Sequence, residues 1–488
     1  MEIKLNRNNN TPIYLQIKNA IAQLILSGQL PASFKLPSER SIADDLGVSR
    51  TTMVRAYQEL IAEGLVIVSA KPKGYFVREA AKKTPMRIFH PLAKMIRYTY
   101  TDKENLFDDL FSQSGTLDLI SLAGINVNVA EEEDITYHYN DFVSLDDKES
   151  FRLKTNIRRI LSKHDIFVGE KNIQLVAETT QVLEYISQLY LKEGDNIIVE
   201  EPVVASTVNV FRNRGINVIC VRMTENGMDL DDLEKLLPLY QPKFIYTMPN
   251  LHNPTGIVMP LEHRMRLLTI AGHWGVPIIE ENSVRDFRYD GKELPSLYAL
   301  DNNQMVLYID TFTLTFLPGN KIAYVVGPPE PIEMIGKLIS TGQMTIYKMS
   351  HAMLNSFIES GAFERRVQFL QRYYRQKRDY LCRRLIPLVE KGLKFQIPEG
   401  GLCLWCKLPE DVNEKKLFAL CKQRGVLYMP GSVFFPYGYS GSGYIRLCFS
   451  SASEQQIDRA VEILDITMEL SKDNIGRRIC ETNPQFRE

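Results

Sequence analysis

The sequence predicts a small α+β helix-turn-helix unit at the N-terminus, followed by a larger α/β domain and a smaller C-terminal α+β lobe. Three observations support this prediction. The 488 residues are too many for one ordinary domain. The first eighty residues show three helical patterns followed by two short strands. From about residue 116, apolar strand-like runs alternate with longer helical stretches, which indicates a largely parallel sheet.

The composition excludes several classes of protein. Apolar residues make up 44% and charged residues 24%, as in globular proteins, and no apolar run has the roughly 18 residues that a membrane span needs. The N-terminus shows no secretory signal, and the seven cysteines are scattered, so we expect reduced thiols in the cytoplasm. Cys403 and Cys406 form a C-x-x-C inside the apolar run LCLWCKL. We interpret them as core cysteines and predict no metal site.

The N-terminal unit begins at Thr11-Pro12, a capping hydroxyl followed by proline at the first helical position. A second helix opens at Ser38, Gly47 makes a tight turn, and Ser49 caps a third helix. The side chains predicted to face inward from the third helix are Val54, Tyr57, Leu60 and Ile61. Two helices joined by a short glycine-containing turn can place the second helix in the major groove of DNA.

Polar side chains lie where such docking needs them. The first turn of the third helix and the position one turn later carry Ser49, Arg50, Thr51, Thr52 and Arg55. These side chains can reach base edges, and a helix N-terminus favours a phosphate. The strands LVIVSA and GYFVRE are joined by a basic tip with Lys71, Lys73 and Gly74, which can lie against the DNA backbone. Taken alone, the pattern also fits a small helical domain with ordinary solvated charges.

The stretch LPSERSIADDLGVSRTTMVRAYQELIAEGLV resembles the winged-helix DNA-binding domain of GntR-type bacterial regulators, and the resemblance covers nearly all of residues 11–78. It implies binding to a double-stranded DNA operator. The positions that match those the family uses for DNA are Arg40, Arg50, Thr52, Arg55, Lys73 and Gly74.

The remaining chain divides by pattern. We predict the winged-helix domain over 1–79, a linker over 80–115, a large domain over 116–385, a small lobe over 386–470 and a mobile tail over 471–488. The strand-like runs of the large domain are NIIVEEP, VICV, FIYTMP, VPIIEEN, MVLYID and IAYVVG. The small lobe carries LKFQIP with GLCLWCKL, and then SGYIRLCFSS.

Four motifs give this region a specific resemblance. KFIYTMPNLHNPTGIVMP, VPIIEENSVRDFRYDGKELPSL, YIDTFTLTFLPGNKIAYVV and GGLCLWCKLPE with GVLYMPGSVF and GYIRLCF occur in the order expected of a class I/II aminotransferase-like domain of the pyridoxal phosphate fold type I. Joined to a GntR-type winged helix, the domain resembles that of MocR-type regulators. In that family, a pyridoxal-phosphate-binding module senses a ligand and controls DNA binding. The resemblance also implies a homodimer that reads two half-sites.

The resemblance carries the parts of a cofactor pocket to positions in this sequence. Asn253, in HNPTG, matches the asparagine that hydrogen-bonds the cofactor ring hydroxyl, and Arg446, in YIRLCF, matches the arginine that grips a substrate carboxylate. Lys321 matches the basic residue that supports the phosphate. Alternative interpretations remain open: HNPTG as an ordinary turn, Arg446 in a structural ion pair, and Lys321 as a surface lysine.

Other pocket positions depart from the family pattern. Leu314 stands where the lysine that forms the Schiff base belongs, so no catalytic residue is assigned. At the ring nitrogen Glu281 replaces aspartate, Ser283 stands at the tyrosine position, and Val204 replaces the stacking aromatic residue. At the phosphate turn, Thr179 and Thr180 can donate to an anion, whereas the preceding Glu178 repels one.

These positions favour a DNA-binding transcription regulator with a catalytically inactive aminotransferase-like domain. That domain is expected to dimerise and to sense an effector, either an amino-acid-like carboxylate or a B6 vitamer, with pyridoxal phosphate held at most non-covalently. Two alternatives remain open: a working transaminase that carries a DNA-binding domain, and a dimerisation scaffold that binds no ligand.

Overall fold

The computed structural model describes residues 12–26, 30–31, 33–62, 65–70, 73–77, 119–127, 148–317, 319–340, 348–437 and 443–472. The chain divides into two compact units, Met1–Thr99 and Tyr100–Glu488. All of the predicted linker over 80–115 lies outside the described residues, and so does nearly all of the predicted tail. Within the described helices, none is both long enough and apolar enough to cross a membrane.

The first unit has three helices and a two-stranded antiparallel hairpin. Its elements are α1 (Ile13–Leu26), α2 (Glu39–Leu46), α3 (Arg50–Ala62), β1 (Val66–Ala70) and β2 (Lys73–Val77). This is the helix-turn-helix with a wing that the sequence predicts. Its buried core includes Ile17, Ile21, Ile25, Ile42, Met53, Ala56, Tyr57 and Leu60.

One prediction for α3 was wrong by a position. Met53 and Ala56 are fully buried together with Tyr57 and Leu60, whereas Val54 is only half-buried. The buried residues follow the i, i+3, i+4, i+7 spacing of a single helix face, and Val54 lies beside that face. The prediction chose Val54 because it is apolar, whereas the buried position of that turn is the neighbouring Met53.

The second unit is built on an eight-stranded sheet with the order β4-β11-β10-β9-β8-β5-β6-β7. The strands are β4 (Ile173–Val176), β5 (Asn196–Glu201), β6 (Asn217–Thr224), β7 (Gly227–Met228), β8 (Phe244–Thr247), β9 (Ile278–Glu281), β10 (Val306–Thr311) and β11 (Ala323–Val326). Five central strands, β10, β9, β8, β5 and β6, pair in parallel, whereas β7 and β11 run antiparallel to their neighbours. The prediction of a largely parallel sheet is confirmed.

Helices accompany this sheet and bury apolar clusters against it. Their bounds are α4 (Lys148–Ser162), α5 (Thr179–Tyr190), α6 (Ala205–Arg212), α7 (Leu230–Tyr240), α8 (Leu261–Trp274), α9 (Leu297–Leu300), α10 (Pro329–Ser340) and α11 (Lys348–Glu359). The strands β8 and β9 are buried along their whole length and β10 along all but its last residue, so burial there is continuous rather than alternating, whereas β6 is partly exposed.

The small lobe contains a five-stranded sheet with the order β12-β13-β15-β14-β3. Its elements are β3 (Ile120–Leu122), β12 (Lys394–Phe395), β13 (Cys403–Lys407), β14 (Val426–Pro430), β15 (Tyr444–Cys448), α12 (Ala362–Glu390), α13 (Glu414–Gln423) and α14 (Glu454–Leu470). The β3 strand pairs in parallel with β14, although the sequence analysis placed residues 120–122 in the large domain. The predicted boundary at residue 385 falls inside α12, whose Leu381, Leu385 and Leu388 belong to the small-lobe core.

Candidate DNA interface and candidate ligand pocket

The turn between α2 and α3 is fixed by its own backbone. Gly47 adopts a left-handed conformation, with φ 60° and ψ 40°, and its N–H bonds the carbonyls of Ala43 and Asp44. A side chain is disfavoured in this conformation, so glycine suits the position. The Ser49 hydroxyl accepts from the Thr52 N–H at 3.1 Å, which confirms Ser49 as the cap of α3.

The first turn of α3 presents its polar side chains to solvent. Arg50 is 70% exposed, and its Nη2 lies 3.3 Å from Glu39 Oε2. Thr51 and Arg40 are also exposed, and Thr52 is half-buried through its contact with Ser49. The Arg55 guanidinium lies 4.1 Å from the centre of the Tyr14 ring. The predicted side chains Arg50, Thr51 and Thr52 thus lie at the accessible start of α3, with Arg55 one turn later on α3 and Arg40 on α2.

Glu39 connects this helix start to the wing. Its second carboxylate oxygen accepts a hydrogen bond from the Tyr75 hydroxyl on β2, and this bond raises the pKa of Tyr75 to about 12. At the wing, Gly74 is half-buried, and a Cβ there would lie 3.0 Å from Lys35 Cε. Lys71 lies outside the described residues, and so does the side chain of Lys73. The roles of these side chains on DNA remain predictions.

The ligand pocket predicted in the second unit lies at the carboxyl ends of the parallel strands, where α/β sheets commonly bind ligands. Val204 follows β5, Glu281 ends β9, and Leu314 lies in the turn after β10. Val204 packs against a small-lobe cluster that includes Phe434 and Phe435. An isopropyl group there offers no aromatic face for a flat ring.

Leu314 is half-buried and packs against the small-lobe core. The turn that carries it is held by the Thr311 hydroxyl, which donates to the Ile322 carbonyl at 2.9 Å and lies 2.7 Å from the Thr313 hydroxyl. The local hairpin is therefore intact around a side chain that has no amine. Pro318, in the predicted Pro-Gly turn, lies outside the described residues.

Lys321 forms an ion pair with Glu178. The lysine side chain is 56% exposed and the glutamate side chain 39% exposed, so water screens the pair. Thr180, in the first turn of α5, places its hydroxyl 3.5 Å from the other Glu178 oxygen. The cation predicted to support a cofactor phosphate and one of the two threonines thus both contact a carboxylate of the chain itself.

Glu281 is buried, and several donors surround its carboxylate. The Tyr246 hydroxyl donates to Oε2 at 2.8 Å, the Ser283 hydroxyl donates to Oε1 at 2.6 Å, and Thr179 also hydrogen-bonds the group. Burial raises the pKa of Glu281 despite these bonds. Three of the predicted pocket residues, Thr179, Glu281 and Ser283, are therefore brought together and satisfy one another.

Arg446 is 2% exposed and is held by the protein on two sides. Its Nη1 donates to Asn253 Oδ1 at 3.0 Å, and its Nη2 donates to the Ala123 carbonyl at 2.7 Å. The guanidinium lies 4.9 Å from the centre of the Phe434 ring. Within the described part of the chain, the buried Nε has no hydrogen-bond partner. Asn253 and Arg446 are thus adjacent, as two parts of one predicted pocket should be.

Three contributors to this pocket were missed in the sequence. Tyr246 could have been found, because β8 and β9 are neighbouring parallel strands and Tyr246 pairs with Ile279. Phe434 lies in the segment GSVF, which matched the family motif, but the match gave no role to this residue. The Ala123 carbonyl left no signal, because a backbone group brought in from a distant segment has no sequence signature.

A buried pair lies beside these strand ends. Glu200 accepts from the Thr247 hydroxyl at 2.6 Å and from the Met248 N–H at 2.8 Å, and its Oε2 lies 3.5 Å from His252 Nε2. Burial raises the pKa of Glu200 to about 7 and lowers the pKa of His252 to about 3. Both groups are thus biased towards their neutral forms.

The residues present do not fit a covalently bound pyridoxal phosphate. Covalent attachment needs an amine where Leu314 supplies an alkyl chain. The position that would support the phosphate is engaged with Glu178, and a carboxylate there repels a phosphate dianion. In the described ranges, no group of three or more acidic, histidine or cysteine side chains could hold a metal ion.

Comparison with known proteins places these features in context. The family model of class I and II aminotransferases matches residues 152–464, and that of the gntR family of bacterial regulatory proteins matches residues 13–77. An archaeal alanine:glyoxylate aminotransferase structure aligns with a TM-score of 0.67 at 23% identity, covering 78% of this chain and 98% of that one. This similarity shows the fold.

Relatives also align over nearly the whole chain. The HTH-type transcriptional regulator YdfD of Bacillus subtilis is 26% identical over 92% of this chain and 95% of its own length. The probable rhizopine catabolism regulatory protein MocR of Rhizobium meliloti is 24% identical over 87% of this chain and 88% of its own. The 2-aminoadipate transaminase of Thermus thermophilus is 27% identical over 61% of this chain and 76% of its own length. The chain therefore belongs to the class I and II aminotransferase family and, with its gntR-family domain, has the architecture of MocR-type DNA-binding transcription regulators.

Proposed function

We propose that this regulator binds its operator as a homodimer and that its aminotransferase-like domain senses an effector without catalysing transamination. The gntR-family domain supplies DNA binding. We also propose a cytoplasmic location, in keeping with the free thiols of the described cysteines.

The observation that carries the proposal of inactivity is the environment of Leu314. Its side chain packs against the small-lobe core at the position where the family resemblance expects an amine. Lys321 is the lysine that follows in the same hairpin, and its ammonium contacts Glu178 instead. Without an amine at residue 314, imine exchange between protein and amino substrate has no nucleophile.

Arg446 supports the proposal of a sensor. A buried guanidinium with one N–H free of a protein partner among the described residues can accept a carboxylate in a bidentate geometry. The incoming carboxylate would bridge Nε and Nη2, the side-on pair of the guanidinium, and would replace the Ala123 carbonyl on Nη2. We therefore propose an amino-acid-like carboxylate as effector, or a B6 vitamer held without a covalent bond.

Homodimer formation is proposed from the combination of domains. Winged-helix and helix-turn-helix regulators commonly read two half-sites through a two-fold axis, and a closed two-fold dimer is the commonest oligomer. Sedimentation velocity on the full chain at micromolar concentration is expected to give one species with twice the 56.0 kDa chain mass. A monomer at those concentrations would contradict this part.

The central test uses the purified full chain incubated with pyridoxal phosphate and then treated with borohydride. We expect no reduced adduct on the peptide that contains residues 307–326, and no exchange of amino groups between amino acids and 2-oxo acids. A reduced adduct on Lys321 with measurable transamination would overturn the proposal. Selection of duplexes from a random pool should, in contrast, enrich one operator sequence.

A further inference from the structure

A cleft of about 480 Å³ opens between the two lobes of the aminotransferase-like unit. The large domain lines it at the ends of β5 and β6, and the small lobe lines it with β12, β13 and the residue that opens β15. Its volume lies in the range of roughly 300–1,000 Å³ that small-molecule sites occupy. Arg446 and Asn253 do not line this cleft, so it is separate from the pocket described above.

The small-lobe wall is aromatic. Trp405 and Tyr444 stack with ring centres 5.2 Å apart and planes 9° apart, and Phe435 lies beside them. Trp405 and Tyr444 are only half-buried, so part of this aromatic surface faces the cleft. A flat apolar group that covers it would gain both apolar burial and offset stacking.

The rim of the cleft is cationic. Arg222, Lys394 and Lys407 line it and are exposed, and none of them forms an ion pair within the described residues. Two acids, Glu201 and Glu225, also line the cleft, so cations exceed acids by one. A ligand that combines a flat aromatic ring with one negative charge matches both the wall and the rim.

We propose that this cleft binds an aromatic carboxylate, with the ring on Trp405 and Tyr444 and the carboxylate at Lys407 and Arg222. The inference rests on the proposed sensing function and adds a second ligand site to the sensing domain, separate from the Arg446 pocket, with the class of ligand that it takes. An occupant would contact both lobes, and ligands that bridge two lobes favour the closed arrangement. It would thereby bias the state of the whole sensing domain.

The cleft is also connected to Arg446 by direct packing. Trp405 lies opposite Arg446 in the β13–β15 ladder. The Trp405 ring meets the Phe434 ring edge-on at 5.5 Å, and Phe434 in turn lies under the Arg446 guanidinium. A ligand that shifts Trp405 therefore changes the packing beneath the buried arginine.

The sequence provides a spectroscopic probe for the test, because the chain has two tryptophans, Trp274 and Trp405. In a Trp274→Phe background, Trp405 emission reports on the cleft. Titration of the full chain with phenylacetate is expected to change this emission in a saturable way. Phenylacetamide lacks the charge and cyclohexylacetate lacks the aromatic ring, and both are expected to bind several-fold more weakly.

Matched variants in the same background localise the site. Lys407→Gln is expected to weaken phenylacetate binding by roughly 3–10-fold, as loss of a partly exposed charge partner should. Lys416→Gln removes an exposed lysine of α13 that does not line the cleft, and it is expected to leave binding unchanged. Arg446→Gln is also expected to retain binding.

An emission change that does not saturate, equal effects of Lys407→Gln and Lys416→Gln, or loss of binding in a folded Arg446→Gln variant would each overturn the proposal. If circular dichroism shows that the Arg446→Gln variant does not fold, the comparison of Lys407→Gln with Lys416→Gln tests the proposal. The outcomes of the two proposals are distinguishable. If the chain enriches one operator and forms no reduced cofactor adduct but gives no saturable response to phenylacetate, the proposed regulatory function stands and the proposed cleft site is wrong.

Discussion

At the scale of single residues, Leu314 and Glu178 change what the pocket can do without changing its fold. Leu314 removes the nucleophile while the threonines of its turn keep the hairpin closed. Glu178 gives Lys321 a partner from the protein itself. Each substitution acts through one functional group, so reversing one of them should restore one property.

Leu314→Lys is expected to place an amine in the turn after β10. After incubation with pyridoxal phosphate and reduction with borohydride, the peptide containing residue 314 should gain a phosphopyridoxyl group that is absent from the wild type. Peptide mass spectrometry separates this adduct from those on surface lysines. Leu314→Met keeps the size without the amine and serves as the control. An equal adduct in wild type and variant would contradict the interpretation of Leu314.

Arg50→Ala is expected to weaken binding to the selected operator by about 1–3 kcal/mol and to relax preference at one base position. Arg50 lies at the exposed start of α3, where a side chain can reach a base edge. Arg459→Ala removes an exposed arginine of α14 in the other unit and is the control. Competition binding with operator variants measures both effects. Unchanged affinity and preference would show that Arg50 does not read DNA.

The Glu200 and His252 pair predicts a pH dependence of stability. The pKa of Glu200 is raised from 4.5 to about 7, so its contribution is complete below pH 4.5 and is lost as pH rises through about 7. The pKa of His252 is lowered from 6.5 to about 3, so its contribution is complete above pH 6.5 and is lost as pH falls towards 3. Between pH 4.5 and 6.5 the two contributions oppose each other.

Glu200→Gln removes one of these contributions. The stability of the variant relative to wild type is expected to rise by roughly 3 kcal/mol between pH 4.5 and pH 7, because in this range the unfolded wild type ionises Glu200 while the folded wild type keeps it protonated. Urea unfolding at several pH values measures the difference. A difference independent of pH would mean that Glu200 titrates normally in the folded protein.

At the scale of elements, the turn before the recognition helix depends on a left-handed glycine. Gly47→Ala is expected to destabilise the N-terminal unit by about 1 kcal/mol, because a Cβ disfavours φ 60°. Gly272→Ala, inside α8, meets only an ordinary 3.5 Å contact and is expected to stabilise the other unit slightly. Denaturant unfolding should show shifts of opposite sign. Equal shifts would contradict the role given to Gly47.

The elements that were predictable from the sequence have strong local signals. Caps such as Ser49 and the apolar runs of the central strands rest on residue type and spacing alone. The place of β3 could not be predicted, because a three-residue strand carries little pattern and its partner β14 lies far along the chain. The predicted boundary at residue 385 falls inside α12, because this single long helix packs into the core of the small lobe on both sides of that residue.

The candidate site was predictable to a similar extent. Motif positions identified Asn253 and Arg446, and in the structure Arg446 Nη1 lies 3.0 Å from Asn253 Oδ1. The sequence could not show that each predicted binding group already has a protein partner, as Glu281 has in Tyr246. Such partnerships depend on side-chain geometry across strands and not on spacing within one motif.

At the scale of the whole molecule, the chain contains two units with separate cores. Calorimetry is expected to show two unfolding transitions. A carboxylate effector at 100 times its dissociation constant should stabilise its domain by about 2.7 kcal/mol and raise mainly the transition of the larger unit. Arg446→Gln should abolish the shift from an amino-acid carboxylate. Equal shifts of both transitions would indicate that the units unfold together.

The β3 strand gives the connection between these units a definite end. It is the first described strand after the winged helix, and the Ala123 carbonyl directly after it accepts from Arg446. The arginine proposed to receive an effector therefore also holds the backbone at the first described strand of the second unit. An effector that draws this guanidinium away would release that backbone anchor, so ligand binding would change how β3 is held in the small lobe.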